Sequence, residues 1–130
     1  MVAVTRGRET GVDIERIRDT RPTLDIAERF FAPAEVRRLL AQPEDRQVNA
    51  FFEIWSRKEA YIKARGEGLR IPLDSFEVSL GEEALLLKAE DRDLWRMCGL
   101  QAPAGYAAAL VVEGSDWGVT QFNWTGLPDT

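Results

Sequence analysis

The sequence predicts an α+β fold, an antiparallel sheet packed against a long helix, and three observations carry that expectation. Segments with strand character stand near both ends of the chain, helical segments fill its middle, and the strongest helical signal runs from Glu44 to Arg65. At 130 residues, with 45% hydrophobic and 30% charged residues, the chain suits one compact domain over residues 1–130 and is too short for two of full size.

The elements follow in order. Val2 to Thr5 and Gly11 to Arg16 are rich in β-branched residues and flank Arg6-Gly7-Arg8-Glu9, which together read as a hairpin. After Arg21-Pro22, Thr23 to Phe31 is helical by composition, and Pro33 at a first helical position opens a short helix through Leu40, ended by Pro43. The long helix, Glu44 to Arg65, has acids at its start, Lys and Arg near its end, and Gly66 where a C-terminal cap belongs. Beyond it, Ser75 to Leu80, Leu85 to Ala89, Tyr106 to Val112 and Trp117 to Trp124 read as strands separated by Gly or Asp turns. The near-continuously apolar strand Tyr106 to Val112 requires cover on both faces, which a partner subunit could supply.

Composition excludes several classes of function. Seventeen basic against 22 acidic residues leave a net charge of −5, so the footprint of a nucleic-acid binder is missing. With no His and a single cysteine, Cys98, the chain has neither an imidazole zinc site nor Ser-His or Cys-His catalysis, and no intramolecular disulfide. Catalysis would run on carboxylates, lysines and a hard metal ion. The start lacks the layout of a signal peptide, and the longest apolar runs are too short to cross a bilayer, so the expected compartment is the cytoplasm and no membrane partner is expected.

Chemistry concentrates in two segments. In Gly11-Val12-Asp13-Ile14-Glu15, strand alternation sends Val12 and Ile14 to one face and the carboxylates of Asp13 and Glu15 to the other. Two carboxylates on one side make half of a Mg²⁺ site; the plainer reading is a wet acidic face on a half-buried strand. On the long helix, at roughly 100° per residue, Val48, Phe51, Phe52, Trp55 and Ile62 form an apolar stripe expected to face the core, with Glu59 near its middle. A carboxylate at such a position needs a cation, donors or a proton. Two of the three lysines in the chain, Lys58 and Lys63, flank it, beside 14 arginines elsewhere, and a compact ammonium suits a phosphate. Alternatively Glu59 and Lys63 form a surface i,i+4 pair worth about 0.2–0.5 kcal/mol. The turn Gly66-Glu67-Gly68 follows the helix, but Gly-x-Gly alone is a weak phosphate signal, and no Walker A or dinucleotide motif is present. Glu35, in the first turn after Pro33, fits capping or chemistry, and Trp55 fits packing. Trp117, Phe122 and Trp124 fit core or a subunit interface, and the six arginines between Arg16 and Arg38 a solvated face or a surface for an acidic partner.

These residues resemble a known family. Gly11-Val12-Asp13-Ile14-Glu15 together with Trp55-Ser56-Arg57-Lys58-Glu59-Ala60-Tyr61-Ile62-Lys63-Ala64-Arg65-Gly66-Glu67-Gly68 resembles the signature of the 4′-phosphopantetheinyl transferases, in the surfactin-synthetase-type branch. Arg29-Phe30-Phe31-Ala32-Pro33-Ala34-Glu35 is similar to that branch's middle motif, and Leu69 to Val78, with Pro72-Leu73-Asp74-Ser75-Phe76, to its segment after the helix. The resemblance implies a half-domain of that fold and a Mg²⁺-dependent transfer of the phosphopantetheine arm from coenzyme A to a serine of an acyl or peptidyl carrier protein. It implies that Asp13, Glu15 and Glu59 hold the metal, that Lys58 and Lys63, with the Gly66 and Gly68 turn, meet the coenzyme's phosphates, and that Glu59 or Glu35 helps deprotonate the serine. Only the second half of that branch's two-half chain is matched. Position 32, commonly Ser or Cys in the family, is Ala32, which removes a side-chain cap. The missing half is expected from a homo-oligomer, as in the short holo-acyl-carrier-protein synthases, or from a separate first-half chain. The alternatives are a non-catalytic module that binds coenzyme A, a metal or a carrier protein, and a structural fragment with no ligand.

Overall fold

The computed structural model describes residues 3, 5, 7–19, 22–66, 70–114 and 116–121. Strand β1 (Thr10–Arg16) is followed by helices α1 (Thr23–Phe30), α2 (Pro33–Leu40) and α3 (Gln47–Arg65), and then by β2 (Glu77–Val78), β3 (Leu86–Lys88), β4 (Trp95–Gly99) and β5 (Tyr106–Glu113). Among the described residues β1, β5 and β4 form one antiparallel sheet in that order, and β2 and β3 form a second, two-stranded one. Helix α3 lies across β1 and β5, so the expected α+β arrangement is the one observed.

Local chemistry accounts for the helix limits. Pro33 stands at the start of α2, whose preceding Ala32 offers no side-chain cap; the Glu35 carboxylate reaches back instead and accepts the Ala32 N–H at 2.9 Å. The expected start of the long helix at Glu44 is a short 3₁₀ turn, Glu44–Arg46, and the α-helix begins at Gln47. It ends on Gly66 in the left-handed conformation (φ 70°), whose N–H caps the Ile62 and Lys63 carbonyls.

The sheet meets α3 through small residues rather than through the large apolar stripe. Gly11 pairs with Val111 on β5, and a Cβ placed on it would stand 2.1 Å from the Ala60 carbonyl oxygen and 2.2 Å from the Ala64 nitrogen. Glycine on the strand and alanines on the helix permit this backbone-to-backbone approach. Phe51, from the stripe, stacks on Phe31 at the end of α1, while Ile54, Tyr61, Val78, Met97 and Val111 fill the core.

Several strand expectations are corrected. Ser75 to Leu80 shortens to Glu77–Val78, preceded by a 3₁₀ turn at Leu73–Ser75. Residues 117–121 form no strand: Trp117 donates its indole N–H to the Gly114 carbonyl, and its own carbonyl accepts from the Arg96 side chain rather than from a neighbouring strand. Phe122 and Trp124 lie outside the described residues. Strand β4 carries no strand pattern in the sequence, because Trp-Arg-Met-Cys-Gly puts one buried side chain, Met97, among half-buried and exposed ones. The first arm of the expected hairpin falls largely on residues 2, 4 and 6, outside the described set; the described partner of β1 is β5. Strand β5 is central and already covered along its apolar run, with Ala109 and Val111 at 0%, Leu110 at 6% and Val112 at 3% exposure, so that stretch needs no partner subunit.

Candidate active site

The alternation in β1 places Gly11, Asp13 and Glu15 toward α3, with Val12 and Ile14 on the opposite face. Asp13 is therefore buried, at 4% exposure, and the wet acidic face of the plainer reading is not what forms. Along α3, Trp55, Glu59 and Lys63 recur every fourth residue and make one line beside β1. This line is the more open side of the helix: Trp55 and Glu59 are half-buried and the Lys63 side chain is 51% exposed. Glu59 thus sits at the margin between strand and solvent, not in the middle of a core-facing stripe.

The polar contacts are specific. Lys63 Nζ donates to Asp13 Oδ1 at 2.6 Å, and Trp55 Nε1 donates to Glu15 Oε1 at 3.1 Å. The other Asp13 oxygen, Oδ2, is buried and receives no hydrogen bond. Burial, with the adjoining Asp13 carboxylate, pushes the Glu15 carboxyl up to about 7. Burial also raises Glu59, helped by the Asp13 charge and opposed by Lys63, while the hydrogen bond to Asp13 raises Lys63. Three acidic groups thus share one ammonium.

The donor set suits a hard cation, being all carboxylate oxygen with one buried oxygen lacking a donor. Yet among the described residues no group of three acidic side chains is gathered closely enough to hold one ion. The expected cage of Asp13, Glu15 and Glu59 is therefore not closed: the strand supplies two neighbouring carboxylates, Lys63 occupies one oxygen of Asp13, and Glu59 interacts only through its charge.

Lys58 and Glu35 lie elsewhere. Both side chains are fully buried, and Lys58 Nζ contacts Glu35 Oε1 at 2.7 Å and Oε2 at 2.9 Å, donates to the Phe76 carbonyl at 2.7 Å, and sits 4.0 Å above the Phe76 ring. Glu35 also accepts the N–H groups of Ala32 and Val78. Burial pushes the Glu35 carboxyl up and the Lys58 ammonium down, and each partner's charge opposes that shift. With every Lys58 donor engaged in the interior, the placement expected for Lys58 at a coenzyme phosphate and for Glu35 at a serine is not the one observed. Gly66 caps α3 at the exposed end nearest Lys63, and Gly68 lies outside the described residues.

Two residues of this site carry weaker signals in the sequence: Trp55, whose type fits packing, and Gly11. The i, i+4, i+8 spacing of Trp55, Glu59 and Lys63, and a glycine inside a strand, were the available signals.

Comparison with known proteins supplies the remaining observations. The family model described as the 4′-phosphopantetheinyl transferase superfamily matches residues 9–111. A 4′-phosphopantetheinyl transferase of Bacillus subtilis is 42% identical over 83 residues, which is 64% of this chain and 36% of the relative. The 4′-phosphopantetheinyl transferase HetI of Nostoc sp. is 32% identical over 117 residues, 90% of this chain and 48% of the relative. The chain thus spans less than half the length of either. The crystal structure of Thermotoga maritima holo-[acyl-carrier-protein] synthase is similar in fold, with a TM-score of 0.62 at 24% identity over 81% of this chain and 62% of that one. No described helix is long and apolar enough to cross a membrane.

Proposed function

Because this chain belongs to the 4′-phosphopantetheinyl transferase superfamily, we propose that it takes part in transferring the 4′-phosphopantetheine arm of coenzyme A to a serine of an acyl or peptidyl carrier protein. The observation that carries this reading is the meeting of Asp13 and Glu15 on β1 with Glu59 and Lys63 on α3, at residues common to the motifs and the site.

Asp13 and Glu15 would hold a divalent cation, Mg²⁺ by the hardness of the donors, with Glu59 as a third carboxylate. When bound, such an ion neutralises charge on the pyrophosphate of coenzyme A. Lys63, with half its side chain in solvent, would meet a phosphate oxygen. As the serine oxygen bonds to the β-phosphorus, the bond to the adenosine 3′,5′-bisphosphate leaving group breaks, and Glu59, whose proton affinity burial has raised, would accept the hydroxyl proton. Lys58 and Glu35 act at a distance, as an internal brace. A second copy of the chain, or a separate first-half chain, would complete the coenzyme pocket.

One observation favours a second reading, binding without turnover: Lys63 holds Asp13 and no three acids are gathered among the described residues. Incubation with coenzyme A, Mg²⁺ and an apo carrier protein separates the two. A carrier mass gain of one phosphopantetheine, lost in Glu59→Gln with the fold intact, supports transfer; coenzyme binding with no mass gain supports the binding module. Turnover retained by Glu59→Gln removes that glutamate from the chemistry.

A further inference from the structure

The indole of Trp55 is held on two sides. Its ring stacks on Phe51 from its own helix (centroids 5.8 Å apart, planes 23°) and packs against Phe31 at the end of α1 (6.2 Å, 36°). The ring therefore has little freedom, and its N–H points at Glu15 Oε1, 3.1 Å away. Glu15 stands on the same face of β1 as Asp13, two residues along the strand. An indole can only donate, which fixes Glu15 Oε1 as an acceptor in one orientation. It is also neutral. Lys63 balances the charge of Asp13 and so competes with an incoming cation, whereas Trp55 orients Glu15 without bringing a competing positive charge.

We propose that Trp55 is a positioning residue for the cation site, its indole N–H holding the Glu15 carboxylate turned toward Asp13. The inference rests on the reading of Asp13 and Glu15 as cation ligands given above. It assigns Trp55 the part that hydrogen-bond donors play behind metal ligands, where removal costs about 10–100-fold in metal affinity.

The test is Mn²⁺ titration of the full chain, with free ion followed by electron paramagnetic resonance and the thermal midpoint measured without metal. Trp55→Phe keeps an aromatic ring between Phe31 and Phe51 and removes the N–H. Phe31→Leu loosens the ring stack and keeps the N–H, and Asp13→Asn removes a ligand. The expected result is that the unsubstituted chain binds Mn²⁺, Asp13→Asn abolishes binding, Trp55→Phe weakens it about tenfold or more, and Phe31→Leu, which keeps the N–H, weakens it clearly less than Trp55→Phe does. Trp55→Phe binding as tightly as the unsubstituted chain overturns the positioning role and leaves the cation site standing. Equal losses in Trp55→Phe and Phe31→Leu overturn it too, since packing and not the N–H would then be responsible. No Mn²⁺ binding by the unsubstituted chain, or binding unaffected by Asp13→Asn, removes the cation site itself and this inference with it.

Discussion

At the scale of single residues, burial and hydrogen-bond donors set the charge state of each group. Glu15 and Glu59 are raised because they are taken from water beside Asp13, and the only ammonium among the described contacts of that trio is Lys63. The opposite balance holds around Asp91 on the far side of α3. Burial alone would push Asp91 up, but hydrogen bonds from Tyr61 and Trp95 and the charge of Arg65 outweigh it and hold the carboxyl low. Burial, aided by the bond to Asp91, pushes the Tyr61 phenol up to about 12. Since the folded value lies above the ordinary value of 10, this contribution to stability is complete below pH 10 and is lost as pH rises toward 12. Absorbance at 295 nm should show one of the two tyrosines ionising only near pH 12, a step that Tyr61→Phe removes; a Tyr61→Phe chain with the same late step would refute the assignment.

Between elements, two contacts set how α3 sits. The Lys58–Glu35 pair joins α3 to α2 and, through Phe76 and Val78, to the start of β2. Lys58 precedes Glu59, so pinning one inside fixes the rotation that carries the other toward β1. Removing one member of a fully buried pair strands the other charge, so Lys58→Met should destabilise the chain by roughly 3–5 kcal/mol in urea unfolding, with Glu35→Gln/Lys58→Met recovering much of the loss. A Lys58→Met chain of normal stability but weakened coenzyme A binding would return Lys58 to the phosphates. The Gly11 contact works from the strand side. A methyl there meets helix backbone that cannot rotate away, so Gly11→Ala should cost the upper end of the roughly 1–3 kcal/mol typical of overpacking and lower the thermal midpoint; an unchanged midpoint would mean that strand and helix separate easily.

For the whole molecule, the proposal that a second subunit completes the site starts from a match that spans less than half of either curated relative. Cover for β5 is no argument for a partner, because the chain covers residues 109–112 itself. Such a partner would act at the site, where half-buried Glu15 and Glu59 and the exposed side chain of Lys63 lie at one margin. If a second copy supplies the missing surface, the mass in solution should be a multiple of 14.7 kDa, at least once coenzyme A is added. A monomer under both conditions, by light scattering, assigns that surface to a different chain.

Much of this was legible in the residues themselves. Alternation in Gly11 to Glu15 and the long helix with its Gly66 cap predict a strand with two carboxylates on one face and a helix carrying Glu59 and Lys63, because periodicity and capping are local properties of the chain. The short, irregular β4 escaped, since pairing with β5 and not its own pattern makes it a strand. Spacing along a helix states which residues share a face, but not how that face is turned against a sheet. That rotation comes from Gly11 meeting Ala60 and Ala64 and from Lys58 meeting Glu35, contacts between residues far apart in the chain. They put Lys58 in the interior, left Lys63 with Asp13, and aimed the Trp55 N–H at Glu15.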